Sequence, residues 1–187
     1  TRHPQVDLRI HASDTVVELH GGSADLAVRY GDTPVLGGAL VAEHLFDDAY
    51  APVCHPGLNI RSHADLARVP LIHSEWQRTL PQPIGWSMWA RAAGIEGALK
   101  TDAGIVLSDD GHAISAALAG QGVILANLPL VRYALLSGAL VQPFEAPVIH
   151  RYAFWAIAPA ARLEEAAVRS VWDWLRPSPG SSLHRKN

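Results

Sequence analysis

Serine, asparagine and carboxylate side chains recur in this chain where strands should end and helices begin, the places at which an α/β protein meets small polar ligands. They are Ser13 and Asp14, Asp32, Ser74 and Glu75, Ser108 and Asp109, and Asn127, with Gly31 and Trp76 beside them at the same ends. Free backbone N–H groups and the helix dipole favour anions at such ends, and hydroxyl or amide side chains add directional hydrogen bonds. Ser13, Ser108 and Asp109 are also the residue types that cap helices, and a cap and a ligand contact can share one helix end. Trp76 is expected in a loop at the ligand cleft, whereas Trp86, Trp89, Trp172 and Trp174 fall on predicted helices and are expected in core or interface.

Other chemistries find little support in the pattern. No Gly-x-Ser-x-Gly elbow marks a hydrolase nucleophile, and no Gly-x-x-x-x-Gly-Lys loop marks a phosphate cradle. Gly120-Gln-Gly122 follows a predicted helix rather than a strand, so it reads as a helix stop. Among ten histidines, His44 and His55 with Cys54 come closest to a cluster, yet at no standard ligand spacing, so no metal is expected. Asp32, Glu75 and Asp109 are the carboxylates nearest the expected cleft, but nothing sets two of them at catalytic separation. The expectation is therefore a binding domain, with no enzyme activity and no cofactor.

Composition narrows the class further. The 187 residues are 49% apolar, enough for a substantial core, while charged residues make up 18% and the net charge is −3. Such a chain has no basic field for phosphate and is not expected to bind DNA by itself. A single cysteine, Cys54, excludes an intrachain disulfide and fits a reducing compartment, so cytoplasm is expected. No run of about 18 apolar residues exists, and Thr1-Arg-His-Pro lacks a signal-peptide pattern, so no membrane partner is expected.

The positioning elements follow from periodicity. Residues 6–12 alternate apolar and polar as a half-buried strand does, Ser13-Asp14 starts a short helix, and residues 24–30 form a second strand. That order predicts a parallel β-α-β unit. Beyond the turn at 31–34, extended segments are predicted at 40–46 and 49–54, a short helix at 62–67 and a strand at 70–73. A helix over 86–93 ends at Gly94, a strand covers 99–103, and Ser108 or Asp109 caps a helix running to Leu118. There follow a buried strand at 123–126, a helix at 128–136, strands at 139–141 and 152–158, an amphipathic helix at 163–175 and a flexible tail over 177–187. Two β-α-β alternations joined by extended segments near 46–54 and 150–158 predict two α/β lobes linked by two crossing strands, with a ligand cleft.

At this point the residues resemble a family. His3-Pro-Gln-Val-Asp-Leu, Gly22-Ser-Ala-Asp-Leu-Ala-Val-Arg-Tyr-Gly31, Pro52-Val-Cys-His-Pro56, Trp86-Ser-Met-Trp-Ala-Arg-Ala-Ala-Gly94 and Gly120-Gln-Gly-Val-Ile-Leu-Ala-Asn-Leu-Pro129, in that order and spacing, resemble the C-terminal effector-binding domain of LysR-type transcriptional regulators. The Arg-Tyr-Gly and Trp-x-x-Trp pieces are similar to the subgroup of glycine-cleavage and β-lactamase regulators. The resemblance implies a type 2 periplasmic-binding-protein-like fold, with lobe I at 1–48 plus 156–176 and lobe II at 49–155. It implies a small effector in the inter-lobe cleft, adds Tyr152 on the second crossing strand to the ligand-binding residues, and makes DNA binding the task of an N-terminal winged helix-turn-helix not in this sequence. It implies homodimers or homotetramers, with residues 6–12 and the helix 109–118 at an antiparallel dimer interface. By the same resemblance the first strand of lobe I is expected to lie outside this sequence. The competing expectation is a periplasmic solute-binding protein of a transport system, which would share fold and cleft and need export.

Overall fold

Two runs of apolar residues, Tyr50–Cys54 and Val123–Asn127, are buried along their whole length and form neighbouring antiparallel strands. They belong to a computed structural model that describes residue 4 and residues 6–13, 15–19, 22–75 and 83–176. Asp14, Trp76 and the tail over 177–187 lie outside the described residues. The chain divides into two units, one from residues 1–47 and 152–187, the other from residues 48–151.

In the second unit a mixed sheet runs β3 (Tyr50–Cys54), β6 (Val123–Asn127), β4 (Leu71–Ser74), β5 (Ile105–Leu107). β6 and β5 both pair parallel with β4. Strands buried on both faces need no alternation, which is why they read as continuous apolar runs. Pro52 is tolerated within β3 because β3 is an edge strand. On its outer side the Tyr50 and Cys54 amides donate to the carbonyls of the isolated bridge partners Ile149 and Val141. Helix α2 (Asp110–Leu118) lays the small side chains Ala113, Ala116 and Ala117 on Val53, Ile72, Ile124 and Ala126, and α3 (Leu128–Leu136) adds Val131. Helix α1 (Trp86–Ala92) buries Trp86, Trp89 and Ala90, and it ends before Gly94 at φ +70°, a conformation suited to glycine.

Two glycines flank the start of β4 for a different reason. A Cβ at Gly104 would lie 2.0 Å from the Leu71 carbonyl oxygen, and one at Gly122 2.4 Å from that of Pro70. Gly122 is thus a close-approach position; the helix stop belongs to Gly120, at φ +74°.

The first unit holds an antiparallel sheet ordered β1 (Ala27–Gly31), β7 (Ala153–Pro159), β2 (Leu40–Asp47). Its core joins Leu45, Ala156 and Ala158 to Trp172 of α4 (Ala166–Leu175). Trp174, expected in core or interface, is 70% exposed.

Several expectations are corrected. Residues 6–12 form no strand: they lie outside every sheet of the described residues, and Ile10 is 85% exposed. Alternation alone does not make a strand without a neighbour to complete its ladder. The parallel β-α-β unit is accordingly absent, and β1 pairs antiparallel with β7, over a hundred residues away in sequence. Residues 15–19 are not helical, and Ser13 Oγ instead accepts the amide of Thr15 at 3.0 Å, a local turn that competes with helix. The strand expected at 99–103 falls at Ile105–Leu107, because Leu99 is buried and the chain turns over 101–102 before Gly104 passes β4. At 139–141 there is only the Val141 bridge, and the last helix starts at Ala166, after a 3-10 segment at Ala160–Glu164.

Cys54 is buried in β3, and burial pushes its thiol up from the ordinary value. Since the thiolate is the nucleophile, the folded protein at pH 8 should resist iodoacetamide and react only once unfolded. Rapid stoichiometric labelling of the native chain would contradict this.

Candidate functional site

The connections around β4 create a reversal. From β4 the chain crosses through α1 to β5 on one side, then returns through α2 to β6 on the other. Neighbouring parallel strands whose connections leave in opposite directions open a crevice beyond their carboxyl ends, the usual ligand position in open α/β sheets. Here those ends are Ser74 and Asn127. Both are polar, and each is only 3% exposed.

Ser74 Oγ donates to Asp110 Oδ1 at 2.6 Å, linking the end of β4 to the first residue of α2. Asp109 caps α2: its Oδ1 accepts the His112 amide at 3.0 Å, and its Oδ2 pairs with the His112 ring. The amide bond, then the His112 side chain, hold the Asp109 carboxyl below the ordinary carboxylate value. A depressed pKa contributes stability that is present above the unfolded value and lost as pH falls through the folded one. Asp109→Asn should therefore lower stability at neutral pH and flatten the acid limb, parent and variant converging as pH falls below about 4. An acid limb identical to the parent's in urea titrations would contradict that assignment.

Asn127 stands at the start of α3 without capping it. Its Oδ1 accepts the Ala49 amide at 3.3 Å, while its Nδ2 is buried with no hydrogen-bond partner among the described residues. Buried polar groups are normally satisfied, so this donor calls for an explanation.

The remaining expected residues are dispersed. Glu75 and Ser108 are exposed beside the strand ends of the second unit. In the first unit, Gly31 ends β1 opposite Ala153, Asp32 is exposed after it, and Ser13 is exposed in its turn. Tyr152 is buried, its ring edge-on to Tyr30 at 5.5 Å. The structure thus brings Ser74 onto α2, but through Asp110 rather than the predicted Asp109. Asp48 was also missed. It is fully buried, its Oδ1 accepts the Arg151 amide at 2.7 Å, and its carbonyl accepts from His150 Nδ1 at 2.6 Å. A second carboxylate at a helix start was a visible signal for Asp110; nothing local marked Asp48. Among the described residues no group of three or more His, Cys, Asp or Glu could hold a metal ion, and no helix is long and apolar enough to cross a membrane.

A profile of the LysR substrate binding domain matches residues 1–179. The chain is 27% identical over 178 residues to the glycine cleavage system transcriptional activator of Escherichia coli strain K12, covering 92% of this chain and 55% of that protein. It is 30% identical over 178 residues to the HTH-type transcriptional activator AmpR of Enterobacter cloacae, covering 92% and 57% respectively. The chain thus spans little more than half the length of these relatives. Among solved structures it is similar to the AmpR effector binding domain from Citrobacter freundii, with TM-score 0.70 and 27% identity over 93% of this chain and 84% of that one. The regulatory domain of CrgA from Neisseria meningitidis, at 20% identity and TM-score 0.66 over 93% of this chain and 84% of that one, shares the fold.

Proposed function

The chain belongs to the LysR substrate binding domain family, and from that premise we propose that it senses a small-molecule effector at the carboxyl ends of β4 and β6. The effector-binding domain named among its structural relatives supports this assignment. In this reading the effector favours one arrangement of the domain and shifts its population, and a DNA-binding segment elsewhere in a longer protein reads the shift. The protein acts in the cytoplasm, forms homodimers or homotetramers, and catalyses no reaction. That its relatives are transcriptional activators favours sensing over solute transport.

One observation carries the choice of place: at the buried end of β6, next to the strand that ends at buried Ser74, Asn127 Nδ2 has no hydrogen-bond partner among the described residues. A ligand oxygen would satisfy that donor. Ser13, Gly31, Asp32, Glu75, Trp76, Ser108, Asp109 and Tyr152 complete the set to be tested.

The test is a thermal-shift screen against amino acids, aromatic acids and cell-wall fragments. A ligand at 100 times its Kd adds roughly 2.7 kcal/mol of apparent stability. A stabilising compound should lose its effect in Asn127→Ala and Ser74→Ala variants that still unfold cooperatively. Undiminished stabilisation of both variants would sink the proposed location.

A further inference from the structure

The chain passes from the first unit to the second between residues 47 and 48, and it returns between 151 and 152. Beside these crossings the main-chain ladder stops. The last pair of β2 with β7 is Asp47 with Ala153. In the second unit Tyr50 and Ile149 exchange amide hydrogen bonds at 2.7 and 2.8 Å. Residues 48–49 and 150–152, between those pairs, belong to no strand or bridge. Their buried backbone groups must find partners elsewhere.

Side chains and a third strand end supply them. Asp48, fully buried, accepts the Arg151 amide on Oδ1 at 2.7 Å, and its carbonyl accepts from His150 Nδ1 at 2.6 Å. These two bonds stand in for the missing ladder and clasp the outgoing chain to the returning one. Ala49, the next residue, turns both its backbone groups toward the junction of β6 and α3. Its carbonyl accepts the Leu128 amide at 2.7 Å, and its amide donates to Asn127 Oδ1 at 3.3 Å. That side-chain bond is long for an N–H···O contact, and Asn127 Nδ2 has no hydrogen-bond partner among the described residues. The clasp is thus seated on an amide that is itself only half held.

We infer that Asn127 is the positioning residue of this clasp: its amide seats Ala49, and through the Asp48–Ala49 peptide it sets how firmly Asp48 holds Arg151 and His150. The clasp stands on its own geometry; its use in regulation rests on the effector-site reading above. An acceptor oxygen that engages Nδ2 turns the planar amide, and turning it moves Oδ1 relative to Ala49. Contact at the end of β6 is then felt where the chain enters and leaves the second unit.

Native-state hydrogen exchange of the 15N-labelled chain tests the clasp without any ligand. Amides that open in one cooperative event share one opening free energy, so Ala49 and Arg151 should show a common protection. Asn127→Leu removes the acceptor of Ala49 and leaves the Asp48–Arg151 bond chemically intact. It should speed both amides by the same factor, roughly tenfold for one net hydrogen bond, while Ile72 and Ile124 in the sheet keep the parent's rates. Asn127→Ser, too short to reach Ala49 and adding no bulk, serves the same purpose where the leucine variant does not fold. Acceleration of Ala49 alone, with Arg151 unchanged, would show that Asn127 and Asp48 act separately and would overturn the clasp. Equal acceleration at Ile72 and Ile124 would overturn it too, because the substitution would then loosen the whole unit. The thermal screen judges the site independently. A stabilising compound indifferent to Asn127→Ala and Ser74→Ala removes the proposed location and leaves the exchange result standing, whereas a failed exchange result leaves the location untouched.

Discussion

Gly104→Ala should destabilise the protein by about 3 kcal/mol and lower its melting temperature by roughly 6–12 °C. Two costs add. Gly104 adopts φ +138°, which L side chains rarely do, and its Cβ would sit 2.0 Å from the Leu71 carbonyl oxygen. That oxygen has little room to retreat, because Leu71 pairs in the ladder with Val123, and Val123 donates to the adjacent Pro70 carbonyl at 3.0 Å. Gly122→Ala meets the same obstacle from the other flank of β4, with only 2.4 Å to Pro70 O. Gly37 has open space around a Cβ and no left-handed φ, so Gly37→Ala should be nearly neutral. Thermal unfolding of the three variants measures the contrast, and equal melting temperatures for Gly104→Ala and Gly37→Ala would refute the close-approach argument. The functional consequence is direct: moving β4 displaces Ser74, and any effector response that survives should weaken with stability.

Local rules made some of this legible from residues alone. The predicted span of α3 matches the helix at Leu128–Leu136, because Pro129 in its first turn costs no hydrogen bond and Gly138 follows its end. Continuous apolar runs located β3 and β6, and Asp109 was readable as the cap of α2. Partner choice was less visible, since it is decided by chain far away. Residues 6–12 show strand alternation without a strand, and β1 is organised by β7, a strand foreseen at 152–158 but not as the neighbour of β1. The candidate site divides along the same line. Ser74 and Asn127 follow from strand ends and were found. The carboxylate that sets the Ser74 hydroxyl, the backbone that takes one side of the Asn127 amide, and the burial of Asp48 come from contacts between distant segments. Even Gly122, readable as a helix stop, owes its identity to a carbonyl more than fifty residues earlier.

Trp89→Ala should be comparably severe, at roughly 3–5 kcal/mol, because Trp89 is a keystone of contacts rather than a contributor of area alone. It is 0% exposed, and its ring stands edge-on to Trp86 at 5.7 Å and to His63 at 5.5 Å, and stacks with Phe144 at 5.7 Å. Its Nε1 donates to Pro147 O at 3.0 Å, fastening the segment after α3 to α1. Alanine would leave a large cavity and an unpaired carbonyl. Phenylalanine keeps most of the ring contact and loses chiefly the hydrogen bond, so Trp89→Phe should cost about 1–3 kcal/mol. The ordering is the test, measured by urea unfolding with fluorescence and far-UV readouts together. Equal losses for Ala and Phe would assign the effect to the hydrogen bond alone, and a small loss for both would show that α1 is not a principal support of the sheet. Trp86 Nε1 donates to Ile72 O at 3.1 Å in β4, so a shift of α1 reaches the strand that ends at Ser74. Trp89→Phe should therefore retain effector binding where Trp89→Ala loses it, although Trp89 lies on α1 and not at the carboxyl ends of β4 and β6.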